Sequence, residues 1–260
     1  MPSTDIRDLD PLLANIRAYW LGWGVDVRRD DGVSWYRSGI AHPRLNAVLR
    51  VDDPDVVGTL TDVRRNLDGV PWIWDVNLDS APGTEEALLE AGAEPIGSMP
   101  IMALDLAKLP EETAGSSEVR FAQTDVDAVA QQVSTYAASM GVPDDQYERT
   151  VAVEQVRSYP GMRFERFHAS IDGELVGTAE TLVNGEAAGL YLVATPADRR
   201  RQGIASALSA YALRRARDLG ARIATLQASE PGEPVYRGIG FEEVGRTRSF
   251  IVPTPARAEL

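Results

Sequence analysis

The segment with the clearest chemical character joins a strand to a helix at residues 192–205. After an apolar start it carries three arginines, at 199–201, and it reaches Gly203 where a helical pattern begins. The first turn of a helix has unpaired N–H groups and the positive end of the helix dipole, and both suit a pyrophosphate. Gly203 and Ala205 bring no bulky side chain into that space. The segment therefore predicts a diphosphate-binding turn.

Two common phosphate motifs do not fit this turn. A P-loop needs a lysine after its last glycine, and Lys108 is the only lysine in the chain. A Rossmann Gly-x-Gly-x-x-Gly is also missing there. A plainer alternative is that residues 199–201 form an ordinary solvated run of charge. Their position beside Gly203, at a strand-to-helix junction, favours phosphate binding.

Composition excludes several classes of function. The chain has 260 residues, no cysteine and only two histidines, His42 and His168, which excludes disulfides, thiolate zinc sites and cysteine nucleophiles. A net charge of -13 disfavours nucleic acid and anionic membranes and attracts cationic substrates. No run approaches the roughly 20 apolar residues of a membrane span, and the first residues lack a signal-peptide pattern. We expect a cytoplasmic protein.

The elements around the turn follow from local signals. Asp172-Gly173 and Asn184-Gly185 each separate runs rich in strand formers, which predicts three antiparallel strands between residues 163 and 195. Apolar residues recur at helical spacing from Ile204 until Gly220. A strand, a short helix and a last strand complete the pattern, with two helices before the hairpins. The fold class is mixed α/β.

Aromatic residues divide the chain into two parts. All five tryptophans precede residue 75 and all five phenylalanines follow residue 120, which indicates two cores. The polar stretch 108–117, which contains proline, glycine and serine, is typical of a linker. We therefore predict an N-terminal domain over 1–107 and a second domain over 118–260.

The second part resembles the GNAT superfamily of acyl-CoA-dependent N-acyltransferases. Residues 200–205 match the family signature (Arg/Gln)-x-x-Gly-x-(Gly/Ala), and residues 236–241 match its late Tyr-x-x-x-Gly-Phe. The resemblance covers residues 118–252. It implies a twisted, mostly antiparallel sheet flanked by helices and the transfer of an acetyl group from acetyl-CoA to a primary amine.

The resemblance also implies a set of cofactor-binding residues. In the family, backbone amides of the signature hold the CoA pyrophosphate, and the preceding strand pairs with the pantetheine amides. The expected acetyl-CoA contacts here are Leu192, Val193, Ala194, Arg199, Arg200, Arg201, Gln202, Gly203, Ile204, Ala205, Ser206, Ser229 and Tyr236. Ser229 stands where many members have an asparagine, and its reach is shorter.

The proton donor of the reaction is expected on the short helix, and the candidate glutamate bases are expected on strands. Tyr236 occupies the place of a tyrosine that can protonate the departing thiolate, the alternative being a packing role. Many members carry a glutamate base at the position of Gly189, so that base is missing here. Glu180, Glu186 or a water chain could replace it, and we name Glu180 as the candidate catalytic carboxylate.

The first part reads as a degenerate copy of the second. Residues 92–97 align with 240–245, and the same offset places aspartates 52, 53 and 55 at a helix start and Leu88 opposite Tyr236. Carboxylates at a helix start repel phosphate. We predict two GNAT-like domains in tandem, of which the first is not catalytic and could instead serve as a homodimer surface.

The acceptor is less well defined by the sequence than the donor. The acidic balance favours a cationic acceptor, either a small-molecule amine or a peptide N-terminus. No metal site and no nucleic-acid or membrane partner is expected. The alternative to an enzyme is a non-catalytic acyl-CoA-binding regulatory or interaction module, because the strand glutamate is missing.

Overall fold

The structure, a computed structural model, describes residues 5–30, 32–111 and 118–253. The described residues form seven α-helices and eleven strands, most of them paired antiparallel. The elements are α1 (Leu9–Leu21), β1 (Asp26–Arg29), β2 (Val33–Arg37), β3 (Asn46–Val51), α2 (Val56–Asn66), β4 (Ile73–Val76), α3 (Thr84–Glu90), β5 (Glu94–Asp105), β6 (Arg120–Gln123), α4 (Val129–Met140), α5 (Tyr147–Val156), β7 (Arg163–Ile171), β8 (Glu174–Asn184), β9 (Ala187–Ala194), α6 (Ile204–Asp218), β10 (Ile223–Gln227), α7 (Glu233–Ile239) and β11 (Glu242–Ile251). The mixed α/β class is confirmed.

The chain forms two compact units. Unit 1 comprises Met1–Gly22 and Pro100–Gly245, and unit 2 comprises Trp23–Met99 and Arg246–Leu260. These bounds differ from the contiguous domains 1–107 and 118–260 that the composition predicts. Most of the predicted linker, residues 112–117, lies outside the described residues.

Unit 1 contains the strand order β5-β10-β9-β8-β7-β6. Among the described strands of unit 1, only β9 and β10 pair in parallel. Ala179 of β8 packs in the core that α6 closes, whereas its neighbour Glu180 hydrogen-bonds to Tyr19 of α1. Because successive strand residues point to opposite faces, α6 and α1 cover opposite faces of this sheet. Both predicted hairpins are present, and the sequence analysis missed β6.

Unit 2 contains the strand order β1-β2-β3-β4-β11. Its core gathers large aromatic side chains from several strands, among them Trp35, Trp74 and Phe250. Trp74 is fully buried. The helices α2 and α3 belong to the same core through Leu60 and Leu88.

Each unit includes one strand that comes from the other half of the sequence. Residues 101–105 of β5 pair antiparallel with β10 in unit 1, and residues 248–251 of β11 pair antiparallel with β4 in unit 2. The helix α1 also joins unit 1, because Leu12 packs with Ala103 and Ile223. These exchanges explain why contiguous boundaries do not describe the units. Over the described residues, no helix is long and apolar enough to cross a membrane.

Candidate active site

The site lies in unit 1, where the parallel strands β9 and β10 separate. Their paired residues run from Ala187 opposite Ile223 to Gly189 opposite Thr225. Beyond Gly189, β9 continues for five residues to Ala194 while its pairing with β8 resumes at Thr178 after a register shift. The edge of β9 that faces β10 therefore presents backbone N–H and C=O groups to a cleft.

The cleft has a volume of about 620 Å³. Its wall combines the end of β9, the arginine-rich turn, the start of α6 and the segment around α7. It is lined by Ser139, Val193, Ala194, Thr195, Arg199, Arg200, Arg201, Gly203, Ile204, Ala205, Ser206, Ser229, Pro231, Gly232, Val235 and Tyr236.

The start of α6 is open to this cleft. Gly203 precedes the helix with φ of 76°, and no side chain caps the helix start. Arg201 also has a positive φ, 62°, which turns the backbone just before the helix. The first turn contains no acidic residue. The unpaired amides and the helix dipole therefore make this end of the cleft attractive to an anion.

The arginines of the turn have different surroundings. Arg199 forms an ion pair with Glu174 at 3.0 Å. Arg200 donates from Nε to the Thr195 carbonyl at 3.1 Å, and its Nη2 lies 3.4 Å from Ser139 Oγ. Arg200 thus connects the end of β9 to α4 at the rim of the cleft.

Tyr236 reaches the cleft from α7. Its ring is partly buried and meets Phe241 edge-on, with the ring centroids 5.9 Å apart. Burial raises the pKa of the Tyr236 phenol well above its usual value. The hydroxyl therefore keeps its proton at neutral pH and can act as a donor.

Most of the sequence-predicted contacts share this one cleft. Leu192 and Gln202 do not line it, although both adjoin lining residues. Ser139 and Thr195 line it and were not predicted. Thr195 directly follows the strand that feeds the signature, so its place in the sequence was a usable signal. Ser139 comes from a distant helix and carried none.

The structure does not bring Glu180 to the cleft. Its carboxylate is fully buried, accepts a hydrogen bond from Tyr19 Oη at 2.7 Å, and forms ion pairs with Arg157 at 3.1 Å and Arg166 at 3.4 Å. Burial raises the pKa of Glu180 to about 7, and Arg157 opposes that rise. Glu186 lies in the turn between β8 and β9, where it pairs with Arg222 at 3.3 Å. Neither glutamate lines the cleft.

Gly189 has no space for a side chain. A Cβ there would collide with Tyr191 Oη and Asn15 Oδ1. The Tyr191 hydroxyl donates to Asn15 Oδ1 at 2.6 Å, so these two groups fill the space that a side chain at residue 189 would need. The packing around Gly189 therefore leaves no room for a glutamate at this position.

The corresponding helix start in unit 2 is closed. Asp55 caps α2 by accepting the Gly58 N–H at 2.9 Å, and Asp53 accepts the Asp55 N–H at 2.8 Å. Leu88, which aligns with Tyr236, is fully buried in the core of unit 2.

Known proteins share this architecture. A GCN5-related N-acetyltransferase from Kribbella flavida superposes with a TM-score of 0.72 at 16% identity, covering 94% of this chain and 95% of its own. One from Sphaerobacter thermophilus gives 0.59 at 16% identity, with coverages of 84% and 75%. A tandem GNAT protein from the clavulanic acid biosynthesis pathway gives 0.58 at 14% identity, with coverages of 97% and 98%. At these identities the likeness establishes the fold.

The family comparison is more specific than the structural one. No curated protein sequence matches the chain. Residues 127–251, which include the arginine-rich turn, α6 and Tyr236, match the model of the acetyltransferase (GNAT) domain. Residues 127–251 are therefore similar to a GNAT acetyltransferase domain.

Proposed function

We propose that unit 1 transfers an acetyl group from acetyl-CoA to a primary amine. The observation that carries this proposal is the uncapped start of α6 at Gly203, which opens into a cleft rimmed by Arg199, Arg200 and Arg201. Such a start binds phosphate through backbone amides, and the neighbouring guanidinium groups add positive charge.

The cleft offers matching groups for the two ends of the donor. The amides of residues 201–205 hold the pyrophosphate at the helix start. The edge of β9 at Val193 and Ala194 hydrogen-bonds to the amides of the pantetheine arm, which needs no particular side chain. The volume of about 620 Å³ lies within the usual range for ligand pockets.

Tyr236 supplies the proton for the leaving group. The acyl donor provides a thioester, whose carbonyl carbon the amine nitrogen attacks; the C–S bond then breaks. The ammonium form of the acceptor first loses one proton to water, because only the neutral amine has the lone pair that attacks. Tyr236 then donates its proton to the departing sulfur, and the second proton that the nitrogen loses returns through water to the Tyr236 oxygen. An ordinary tyrosine is protonated at neutral pH, and burial, which raises the pKa of the Tyr236 phenol, leaves it protonated.

The acceptor we propose is cationic before it reacts. The net charge of -13 raises the local concentration of protonated amines near the protein. A small-molecule amine and a peptide N-terminus both meet this description, and an acceptor screen separates them.

One observation favours a second candidate, an acyl-CoA-binding module without turnover. Among the described residues that line the cleft there is no carboxylate and no histidine. A site without such a group has no side-chain base of the usual kind. Water can accept the proton instead of a side chain, so the presence or absence of turnover distinguishes the two candidates.

The experiment combines calorimetry with turnover. We expect acetyl-CoA to bind to the full chain with 1:1 stoichiometry, and at least one amine in a panel of polyamines, amino acids and peptides to release free CoA thiol. Binding without thiol release across the panel would establish the binding-module candidate. Absence of acetyl-CoA binding would reject both.

A further inference from the structure

Leu192 has an unusual backbone conformation at the edge of the cleft. Its φ of 44° lies in the left-handed region, which a leucine adopts only with backbone strain. The register between β8 and β9 shifts at the same place, between Thr178 and Glu180. Such a conformation persists only where the surrounding groups hold it.

The helix α1 supplies one of the groups that hold it. Asn15 is fully buried, and its Nδ2 donates to the carbonyls of Leu182 at 2.9 Å and Ala187 at 3.2 Å. Its Oδ1 accepts the Tyr191 hydroxyl at 2.6 Å. One side chain of α1 thus binds β8, the start of β9 and the residue next to Leu192.

Tyr19, one helical turn after Asn15, holds the same tyrosine by its ring. The rings of Tyr19 and Tyr191 are stacked, with centroids 3.5 Å apart and planes within 9°. The Tyr19 hydroxyl in turn donates to the buried Glu180 at 2.7 Å. Tyr191 is therefore fixed at both its hydroxyl and its ring.

A second hydrogen bond fixes Leu192 from β8. Thr178 Oγ1 donates to the Leu192 carbonyl at 2.9 Å. Leu192 is thus held directly through its carbonyl and indirectly through Tyr191. The next two residues, Val193 and Ala194, line the cleft.

We infer that Asn15 and Tyr19 are positioning residues for the donor cleft. By holding Tyr191 they maintain the conformation of Leu192, and so aim the free edge of Val193 and Ala194 at the cleft. The residues that bind the donor would then depend on a helix far outside the segment 127–251 that matches the family model. This inference rests on the proposed function, since the ligand of that edge is taken to be acetyl-CoA.

Unit 2 contains a matched control. Asn77, directly after β4, is also a buried asparagine: its Nδ2 donates to the Leu49 carbonyl at 3.1 Å, and its Oδ1 accepts the Thr247 hydroxyl at 2.6 Å. Replacing Asn15 and Asn77 removes similar hydrogen bonds from the interior, so the two variants should lose comparable stability.

The test compares Asn15→Ala with Asn77→Ala in the full chain. We expect Asn15→Ala to raise the Kd for acetyl-CoA about 5- to 30-fold. This change corresponds to the loss of one or two hydrogen bonds between the backbone and the ligand. Asn77→Ala should change that Kd less than about twofold. Hydrogen exchange of the amides at residues 192–194 in the free protein should accelerate in Asn15→Ala alone.

A gentler pair covers the case in which Asn15→Ala does not fold. Tyr191→Phe removes only the hydroxyl, and Thr247→Val removes its counterpart in unit 2. Unchanged Kd and unchanged exchange at residues 192–194 in folded Asn15→Ala or Tyr191→Phe would overturn the inference. If the wild-type chain does not bind acetyl-CoA, the proposed function fails, and the exchange measurement alone decides whether Asn15 positions Leu192.

Discussion

Two helices of the molecule begin in similar places and differ in what they can bind. In unit 1, α6 follows β9, and the next strand β10 pairs in parallel with β9. In unit 2, α2 follows β3, and the next strand β4 pairs in parallel with β3. The start of α6 is an uncapped glycine, whereas the start of α2 is capped by Asp55.

The difference shows how one backbone arrangement acquires or loses a ligand. Both helices have a positive dipole end and amides that are unpaired within the helix. The residue at the helix start therefore decides whether a side chain of the protein or a ligand binds these amides. At α2 a carboxylate of the chain itself takes a first-turn amide, which stabilises unit 2 and repels phosphate. At α6 the amides remain available to a ligand.

Closing the start of α6 should produce the largest effect. Gly203→Glu places a side chain and a negative charge where the phosphate would lie, and it forces a non-glycine residue to φ of 76°. We expect the affinity for acetyl-CoA to fall by a factor of about 1000 or more, measured by calorimetry.

The matched control for Gly203→Glu is Gly83→Glu. Gly83 precedes α3 in unit 2 with φ of 82°, and a Cβ there meets nothing within 4 Å. A glutamate there has the same backbone cost and the same charge, at a residue that does not line the cleft. Equal acetyl-CoA affinity in Gly203→Glu and wild type would mean that α6 does not bind the donor.

The second prediction concerns Tyr236, for which unit 2 has Leu88 at the aligned position. Tyr236→Phe removes the hydroxyl that we propose as proton donor and keeps the ring against Phe241. Turnover should fall about 10- to 1000-fold, while the Kd for acetyl-CoA changes little. Thiol release and calorimetry measure the two quantities.

Tyr147→Phe provides the comparison for Tyr236→Phe. The Tyr147 hydroxyl donates to the Ala130 carbonyl at 2.8 Å, so this variant also loses a phenol in unit 1. Its turnover should stay within about twofold of wild type. Equal turnover in Tyr236→Phe and Tyr147→Phe would leave Tyr236 with a packing role only.

The predicted site is largely local in the sequence, whereas the two compact units are not. The predicted turn, Gly203 and the helix after it lie within one stretch of chain, and Tyr236 follows after one strand. The pairing of β5 with β10 and of β11 with β4 joins distant segments, and no local pattern specifies a distant partner. The packing of α1 in unit 1 was not predicted for the same reason.

Glu180 illustrates the limit of reading chemistry from residue type. From the sequence, it is the candidate catalytic carboxylate on a strand. Arg157, directly after α5, forms an ion pair with the Glu180 carboxylate at 3.1 Å, and the Tyr19 hydroxyl of α1 donates a hydrogen bond to the same carboxylate. Neither partner is near in sequence, so only the fold could show that Glu180 belongs to a closed ion-pair network.

The third prediction tests a buried charge in unit 2. Asp75 lies on β4, which corresponds in order to β10 of unit 1, and its carboxylate accepts the Ser249 hydroxyl at 2.6 Å. Burial raises the pKa of Asp75 from its usual 3.8 to about 6. The charged form is thus disfavoured in the folded chain, and wild-type stability falls as the pH rises through about 6.

Asp75→Asn removes this pH dependence and keeps an oxygen for Ser249. The unfolding free energy of the variant relative to wild type should increase by about 3 kcal/mol between pH 4 and pH 7, and then level off. Denaturant unfolding at several pH values measures it. A constant difference across that range would contradict a raised pKa, and acetyl-CoA affinity should not change in either case.

The smallest effect is expected from opening the helix start of unit 2. Asp55→Ala removes the cap of α2 and should lower the unfolding free energy by about 1 kcal/mol. Asp62→Ala removes the same charge from the middle of α2, where Asp62 pairs with Arg65 at 3.5 Å, and should cost less than about 0.5 kcal/mol.

Asp55→Ala should not create a second acetyl-CoA site, because opening one helix start supplies neither the arginines of the turn nor the counterpart of Tyr236. Calorimetry of Asp55→Ala should therefore still give 1:1 binding. A stoichiometry of two would show that a capping carboxylate alone separates the two helix starts, and that unit 2 retains the rest of a donor site.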